Sequence, residues 1–570
     1  MEQVSYLIAR FLKERNVDRV FSLCGGHILP IWDCLHRLGI RIIDVRDERA
    51  AVHMAHAHRE LAGRLGVAVV TAGPGMTNAV TGIANAFIAR VPILIISGVP
   101  PRPQDGMGAL QSIPQVDMVR SITRYARTIS SAGHVLRELD EAVACAEGHC
   151  GEPGPVFLDF PTDVLRENIP DSLIDPIRLP APTAAVIFPA TEKIRAAAAL
   201  LAESKHPLVI SGRGARGAAK SLLNFLNVFK SVYLDTPESR GLIPEDHPLF
   251  MPAVRGRAMR EADLVITVGR SLDFQLAYGS KAVFQQAHFI RAGTTPSELR
   301  GNRRPEVELF GSPAAVLDAL AEIMKNSIAQ VDDRWIEEMR TADRKSRQNL
   351  LKKMRRMPSG ADGAMHPYRL LGCLREKLDN NAVVIADGGD FLSFARIALT
   401  GVAYLDCGPF GCLGVGVPFG IAASLALPDR KVVVLSGDGS FGFNAIELDT
   451  CRRHKARVVF IVANNRGWNI ERNDQNLSFG GRIIGTELEG CDYAGLAQSL
   501  GVQGERVENP EQLPEALERA FNNAPALLDV MVTRDAVSPD SLSGLPVVPD
   551  TQALTVWDDL EKAMRIKEQL

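Results

Sequence analysis

Between Gly437 and Asn465 the chain carries two short motifs, Gly-Asp-Gly and Asn-Asn, separated by the 24 residues from Ser440 to Ala463. The run before the first, KVVVLS, and the run before the second, VVFIVA, are β-branched and read as buried strands of a parallel sheet. Between them FNAIELDTCRRH has the pattern of an amphipathic helix. The unit is strand, helix, strand, so both motifs fall at carboxyl ends of strands, where open α/β sheets bind ligands. Asp438 offers a hard anionic oxygen and Asn465 a neutral carbonyl oxygen. Gly437 and Gly439 admit close backbone approach and leave amides free, beside Ser440, at the start of the next helix. Oxygen-only ligands with room for phosphate oxygens suit Mg2+ better than zinc. Either motif alone reads equally well as a turn or a loop; the two at opposite ends of one unit point to a magnesium diphosphate site.

The first third of the chain repeats this logic. GVAVVTAGPGMTNAVTGIANAFIARVPILIISG runs strand, Gly-rich turn, helix, strand, with glycines in similar places but GPG for GDG and no metal-binding acid. That pattern implies two similarly folded domains, and the 570-residue length leaves room for a third. HPLVISG and ADLVITVG supply strands for it, after a Pro-rich, weakly periodic linker near residues 165 to 190. The expected fold is α/β, with three doubly wound parallel-sheet domains over residues 1–168, 188–330 and 360–535 and a tail of loop and short helix over 536–570. The charged segment DDRWIEEMRTADRKSRQNLLKKMRRM reads as a solvated connecting helix.

Composition narrows the partners. A net charge of −3 gives no electrostatic case for nucleic acid or an anionic membrane. VPILIISGVPP, the most apolar stretch, is too short to span a bilayer and is broken by Gly and Pro. The opening MEQVSYLIARFLKERNV is an amphipathic helix rather than a secretory signal. Nine scattered cysteines with no CxxC pair suit a reducing compartment rather than a disulfide framework. The expectation is a cytoplasmic protein that binds neither nucleic acid nor membrane.

The GDG and NN pair resembles the thiamine-diphosphate motif of the superfamily that holds acetolactate synthase, pyruvate oxidase, benzaldehyde lyase and 2-hydroxyacyl-CoA lyase, and the resemblance covers nearly the whole chain. It implies a pyrimidine-binding first domain, a middle domain and a diphosphate-binding last domain. It also implies thiamine diphosphate with Mg2+, the metal held by Asp438, Asn465 and the Gly467 carbonyl. RIIDVRDERAAVHMAHAH matches the position of the family's cofactor-activating glutamate, which places that role on Glu48; read alone, Glu48 is an acid at a helix start. GPFGCLGVGVPFGIAA resembles the segment that props the cofactor into its bent shape, with Leu413 as the prop and the Gly411 carbonyl facing the amino group. Many relatives have methionine at that position, and leucine keeps the volume. Gly389 and Asp390 in VIADGGDF fall on a second diphosphate-side loop, and Trp468 and Asn469 on the diphosphate and substrate mouth.

His27 in CGGHILP and Gln111 in GALQSIPQVDM correspond to residues that face substrate in benzaldehyde-lyase-like enzymes, a reading preferred here to that of buried, hydrogen-bonded structural polar groups. Glu487 in GTELEG lies on a loop that could reach the site and is otherwise a surface acid. His53, His56 and His58 suggest zinc, but only His53 and His56 share a helical face and no partner acid or cysteine accompanies them.

GALQ with WNIERNDQ, the segment TPESRGLIPEDHP and the long tail look most like bacterial 2-hydroxyacyl-CoA lyases, which split a 2-hydroxyacyl-CoA into formyl-CoA and an aldehyde or ketone, or join the parts in reverse. Arg213, Arg216, Arg240, Arg255 and Arg257 are candidate partners for the CoA phosphates. The alternative is an acetolactate-synthase-like or benzaldehyde-lyase-like carboligase acting on 2-keto acids or aldehydes. A third reading is a non-catalytic subunit of the same fold, which intact Glu48, Asp438 and Asn465 oppose. The resemblance admits an ADP in the middle domain, although HFIRAGTTPSELRG lacks the acid that relatives often place there. It also implies a homodimer at least, with a homotetramer as the expected assembly.

Overall fold

The computed structural model describes residues 2–169, 186–400 and 402–569. In the first domain six parallel strands lie in the order Arg41–Asp44, Arg19–Ser22, Gly66–Val70, Ile93–Val99, Pro155–Pro161, Tyr125–Thr128. In the last domain the order is Ala403–Asp406, Val383–Asp387, Val432–Gly437, Val458–Asn464, Ala526–Met531, Gln503–Val507, again all parallel. Numbered within its own domain, each sheet reads 2-1-3-4-6-5, so the likeness inferred from glycine positions extends to the whole topology. The middle domain carries five parallel strands in the order Val232–Leu234, Pro207–Ser211, Leu264–Val268, His288–Gly293, Val307–Phe310. The fold is α/β, with three doubly wound parallel sheets. The inner strands, such as Val432–Gly437 and Val458–Asn464, are apolar and buried because helices cover both faces, while the edge strands Tyr125–Thr128 and Gln503–Val507 are more polar.

Strands 1 and 3 are neighbours in each sheet and the chain leaves them toward opposite edges, which opens a crevice at their carboxyl ends. In the last domain those ends are the loops after Asp387 and Gly437. They touch: a Cβ on Gly388 would lie 3.1 Å from the Ser440 hydroxyl.

First and last domains meet along the helices Glu48–Ala62 and Gly416–Ala426. The second helix is apolar on every side and buried on nearly all of them. His53 and His56 pack on the Phe419 ring, with centroids 6.0 and 5.0 Å apart, and His58 packs on Phe21 at 5.8 Å. Burial drives their pKa values down to about 3, about 3 and about 4. These histidines are neutral rings in a seam between helices.

Four sequence expectations need correction. The helix expected over FNAIELDTCRRH, residues 443–454, is two short pieces, Ala445–Glu447 and Leu448–Arg453, and a separate short helix, Asp438–Gly442, precedes them. Asn168–Ile169, inside the expected linker, pairs with Glu2–Gln3 as part of the first domain, while residues 170–185 of that linker lie outside the described residues. The charged helix Asp333–Arg356 is exposed along most of its length but not solvated on every side: Trp335, Ile336 and Met339 enter the core of the middle domain and Met354 that of the last. Cys145 and Cys150 are paired as a disulfide, and the other seven cysteines are free. Among the described residues no helix is long and apolar enough to cross a membrane.

Candidate active site

Asp438 is the first residue after the strand Val432–Gly437, and its side chain turns toward the neighbouring loop. Its Oδ2 accepts the Gly467 amide at 3.0 Å, which ties the GDG loop to the loop after Asn465. Burial pushes this carboxyl up to about 6, the nearby Asp529 charge adding to the effect. Asn465 Oδ1 is buried without a hydrogen-bond partner. A carboxylate held in an unfavourable medium beside an orphaned carbonyl oxygen is a donor pair that a hard cation would satisfy. The residues present fit magnesium. A Cβ on Gly439 would stand 2.6 Å from the Trp468 ring, and one on Gly467 2.8 Å from the Thr486 carbonyl, so the backbone has to be bare at both positions.

Opposite this cradle, Asp390 opens the helix Asp390–Ala398 and accepts from Asn469 Nδ2 at 3.1 Å. Oδ1 of Asp390 and Oδ1 of Asn469 are both buried and unpartnered, and burial raises the Asp390 carboxyl to about 6. All twelve residues of the last domain assigned from sequence to the cofactor, Gly389, Asp390, Gly411, Leu413, Gly437, Asp438, Gly439, Ser440, Asn465, Gly467, Trp468 and Asn469, line a single cleft of about 400 Å³. The tail forms part of its wall through Asp540, Leu545 and Pro546, and the middle domain reaches it with Phe274. Asn469 Nδ2 also donates to the Ala536 carbonyl at 3.2 Å, which fixes the start of the tail to the cleft.

Glu48, His27 and Gln111 are not among the residues that line this cleft. They gather instead around the GPG loop of the first domain, at the carboxyl ends of its strands. A Cβ on Gly75 would lie 3.0 Å from Glu48 Oε1 and 2.8 Å from the Thr71 methyl; Thr71 Oγ1 is 3.5 Å from His27 Nδ1; a Cβ on Gly73 would lie 2.9 Å from that of Gln111. Glu48 starts its helix, is 4% exposed, and accepts from Asn78 Nδ2 at 3.0 Å. Burial lowers the His27 pKa, Arg166 adds to the effect, and a hydrogen bond with Gln111 opposes it.

Family models for the thiamine pyrophosphate enzymes match the N-terminal TPP-binding domain at residues 2–118, the central domain at 194–320 and the C-terminal TPP-binding domain at 391–530. The chain belongs to the thiamine pyrophosphate enzymes. It is 35% identical over 546 residues to the acetolactate synthase large subunit IlvG of Mycobacterium tuberculosis, covering 94% of this chain and 96% of that protein. It is 31% identical over 587 residues to 2-hydroxyacyl-CoA lyase 2 of Caenorhabditis elegans, covering 94% and 90%. With the human 2-hydroxyacyl-CoA lyase 2 the identity is 30% over 581 residues, covering 92% and 89%.

Three groups in this thiamine pyrophosphate enzyme escaped the sequence reading. Asp387, at the end of its strand, accepts the amides of Gly414 at 3.1 Å and Gly416 at 2.9 Å and so anchors the loop that carries Gly411 and Leu413. Glu447 accepts the amides of Arg46 and Asp47, the two residues before Glu48, at 2.9 and 3.1 Å. Gln115 is buried; its Oε1 accepts the Gly73 amide at 2.8 Å while its Nε2 reaches Ser97, the Gly98 carbonyl and Asp159, each at 3.2 Å. The Asp at the strand end in VIADGG was the one visible signal among these.

Two sequence assignments are displaced. The Glu487 carboxylate is at the surface, paired with Arg534 at 3.2 Å and Arg472 at 3.7 Å. What its segment gives the site is backbone: Gly467 and Glu487 form an antiparallel bridge and Trp468 N–H donates to the Thr486 carbonyl at 2.8 Å. The five arginines considered for CoA are engaged by the protein itself. Arg213 and Arg216 pair with Glu60, Arg240 with Asp235 and Arg257 with Glu261, while Arg255 donates to the Asp235 and Gln275 carbonyls.

Proposed function

We propose that the enzyme is a thiamine-diphosphate- and Mg2+-dependent carbon-carbon lyase that cleaves a 2-hydroxyacyl-CoA to formyl-CoA and an aldehyde or ketone, and that runs the reverse condensation. The observation that carries this reading is the tail at Asp540, Leu545 and Pro546, which forms part of the wall of the cleft where a water-sensitive acyl carbon would be held. Relatives named 2-hydroxyacyl-CoA lyase 2 over nine-tenths of the chain support it.

When bound, thiamine diphosphate supplies a nucleophilic carbon and an electron sink for the bonding pair. Asp438, Asn465 and the Gly467 carbonyl would hold the metal, and Leu413 would support the cofactor. Glu48 would hold a proton at the aminopyrimidine. In cleavage the substrate hydroxyl loses its proton as the aldehyde or ketone carbonyl forms, and the acyl carbon gains a proton to become formyl-CoA. Burial keeps His27 neutral near pH 7, so its imidazole is able to take the hydroxyl proton, with Gln111 fixing the ring.

Because the first-domain group and the metal cradle do not share a cleft within one chain, we infer that two copies assemble with the first domain of one facing the cleft of the other. The minimum unit is then a homodimer, and pairing of two such dimers gives the homotetramer.

The second reading, a carboligase acting on 2-keto acids or free aldehydes, is favoured by the 35% identity to an acetolactate synthase large subunit. Incubation of the Mg2+-loaded holoenzyme with a 2-hydroxyacyl-CoA panel and, separately, with pyruvate, with products read by mass, distinguishes the two. Formyl-CoA release supports the lyase; acetolactate from pyruvate with no thioester turnover replaces it by the synthase-like reading.

A further inference from the structure

We propose that the middle domain is built like a nucleotide-binding fold but holds no nucleotide, because the protein's own groups fill its phosphate loop, and that Glu60 in this seat positions the helix carrying Glu48. The second half rests on the role assigned to Glu48 above; the first half does not.

The sequence pattern for a dinucleotide site is present. Strand Pro207–Ser211 runs into Gly212-Arg-Gly-Ala-Arg-Gly217, then helix Ala219–Val228, and Asp235 follows the next strand, Val232–Leu234. Such a loop binds a pyrophosphate through free backbone amides and the acid takes a ribose hydroxyl. Here the amides of the first two glycines are committed: Gly212 N–H donates to the Val268 carbonyl and Gly214 N–H to the Gly269 carbonyl, both at 3.0 Å. Asp235 is held by Arg240 at 3.3 Å.

Carboxylates crowd the same end of the sheet. A Cβ on Gly214 would lie 2.6 Å from Glu298 Oε1, and one on Gly293 2.5 Å from Glu298 Oε2, so this buried acid stands between the loop and the strand His288–Gly293. Arg270, 1% exposed, plugs the neighbouring position and is bound by Glu238 at 3.0 Å and Asp273 at 2.7 Å. The loop's own cations, Arg213 and Arg216, both clasp Glu60. A phosphate entering here would meet these acids and would have to displace Glu60 from Arg213 and Arg216, at the full desolvation cost of its charge.

Glu60 belongs to the helix Glu48–Ala62, three turns beyond Glu48, and its pairing with two arginines holds it ionised with a pKa of about 2 against the opposing effect of burial. The anion that the loop accepts is thus supplied by the first domain. The forked ion pair fixes the far end of the helix whose near end presents Glu48, so Glu60 is a positioning residue.

The test uses the Mg2+- and thiamine-diphosphate-loaded enzyme. Equilibrium dialysis with ADP and with FAD, in the presence of saturating CoA so that any substrate pocket for adenosine is already filled, should show no saturable binding at millimolar probe. One probe bound per chain at micromolar concentration overturns the proposal. Glu60→Gln should slow exchange of the thiazolium proton about tenfold, equivalent to about 1.4 kcal/mol, with thiamine diphosphate affinity and circular dichroism unchanged, and Glu60→Asp should recover part of the rate. An unchanged rate in a folded Glu60→Gln enzyme refutes the positioning role. Should that variant not fold, Arg216→Lys, which keeps the charge but loses the fork, gives the same readout. Failure of acyl-CoA turnover would strike the lyase reading and leave the dialysis result standing.

Discussion

Glu447 provides the sharpest test of how the turn that presents Glu48 is held. It is fully buried in the last domain, its Oε1 accepts the Arg46 and Asp47 amides, and its Oε2 accepts the Thr450 hydroxyl at 2.6 Å. Asp47 in turn caps the helix by accepting the Arg49 amide at 2.8 Å. The last domain therefore fixes the turn that presents Glu48. Burial raises the Glu447 pKa from 4.5 to about 7, the three hydrogen bonds pulling it down and the Asp47 charge pushing it up. At about 1.4 kcal/mol per unit the ionised form costs the fold about 3 kcal/mol.

The sign follows from proton linkage. Between 4.5 and about 7 the folded protein binds more protons at this group than the unfolded chain, so stability from Glu447 is greatest below 4.5 and falls as pH rises through about 7. Glu447→Gln keeps an acceptor for the two amides and removes the charge. We expect it to raise the thermal midpoint relative to the parent at pH 8 and to leave it unchanged near pH 5, with the thiazolium exchange rate preserved. Glu447→Ala strands two buried amides, at about 1–3 kcal/mol each, and should lower the midpoint at every pH while slowing exchange. Midpoints are compared because a chain of three domains does not guarantee two-state unfolding. A Gln variant no more stable than the parent at pH 8 would refute the reasoning.

Three further outcomes are expected. Asp438→Ala should lose Mg2+-dependent retention of thiamine diphosphate, read by dialysis and fluorescence; full cofactor occupancy in this variant, or in chelator-treated parent, contradicts the assigned ligands. Glu48→Gln should bind the cofactor and exchange the thiazolium proton about 100-fold more slowly, as the loss of a positioned acid-base group predicts; mixed with Asp438→Ala subunits it should regain activity in hybrids, and a catalytically active monomer by sedimentation excludes the two-copy site. Truncation after Asp535 should keep the fold and cofactor binding while reducing 2-hydroxyacyl-CoA turnover; cleavage at the full rate removes the tail from the mechanism.

The proposed metal cradle was open to sequence reading because its parts are tied to periodicity. Asp438 and Asn465 sit one residue past buried strands, and a run such as VVFIVA announces both the strand and the place where it ends. Glu447 could not be read this way. Its partners Arg46 and Asp47 are 401 and 400 residues distant, and its local pattern is that of an amphipathic helix facing water. Gln115 fails for the same reason: its four hydrogen bonds come from three other segments, and nothing in SIPQVDM marks its side chain as inward.

Charged residues erred in the opposite direction. A sequence shows that Arg213 or Glu487 carries a charge but not whether the fold has already neutralised it, and in both cases it has. The glycine loop at Gly212 is the clearest instance. Its spacing records a backbone shape, a tight turn between strand and helix, which a doubly wound sheet needs whether or not a ligand follows. Whether the turn binds phosphate depends on the amides of Gly212 and Gly214, and these are satisfied by carbonyls at Val268 and Gly269 on the adjacent strand end. In the last domain the corresponding crevice leaves Asn465 Oδ1, Asn469 Oδ1 and Asp390 Oδ1 without partners. Two sheets of one fold class thus differ in what their loops leave open: at Gly212 and Gly214 neighbouring carbonyls take the backbone amides, whereas the last domain holds acceptor oxygens that no protein group reaches.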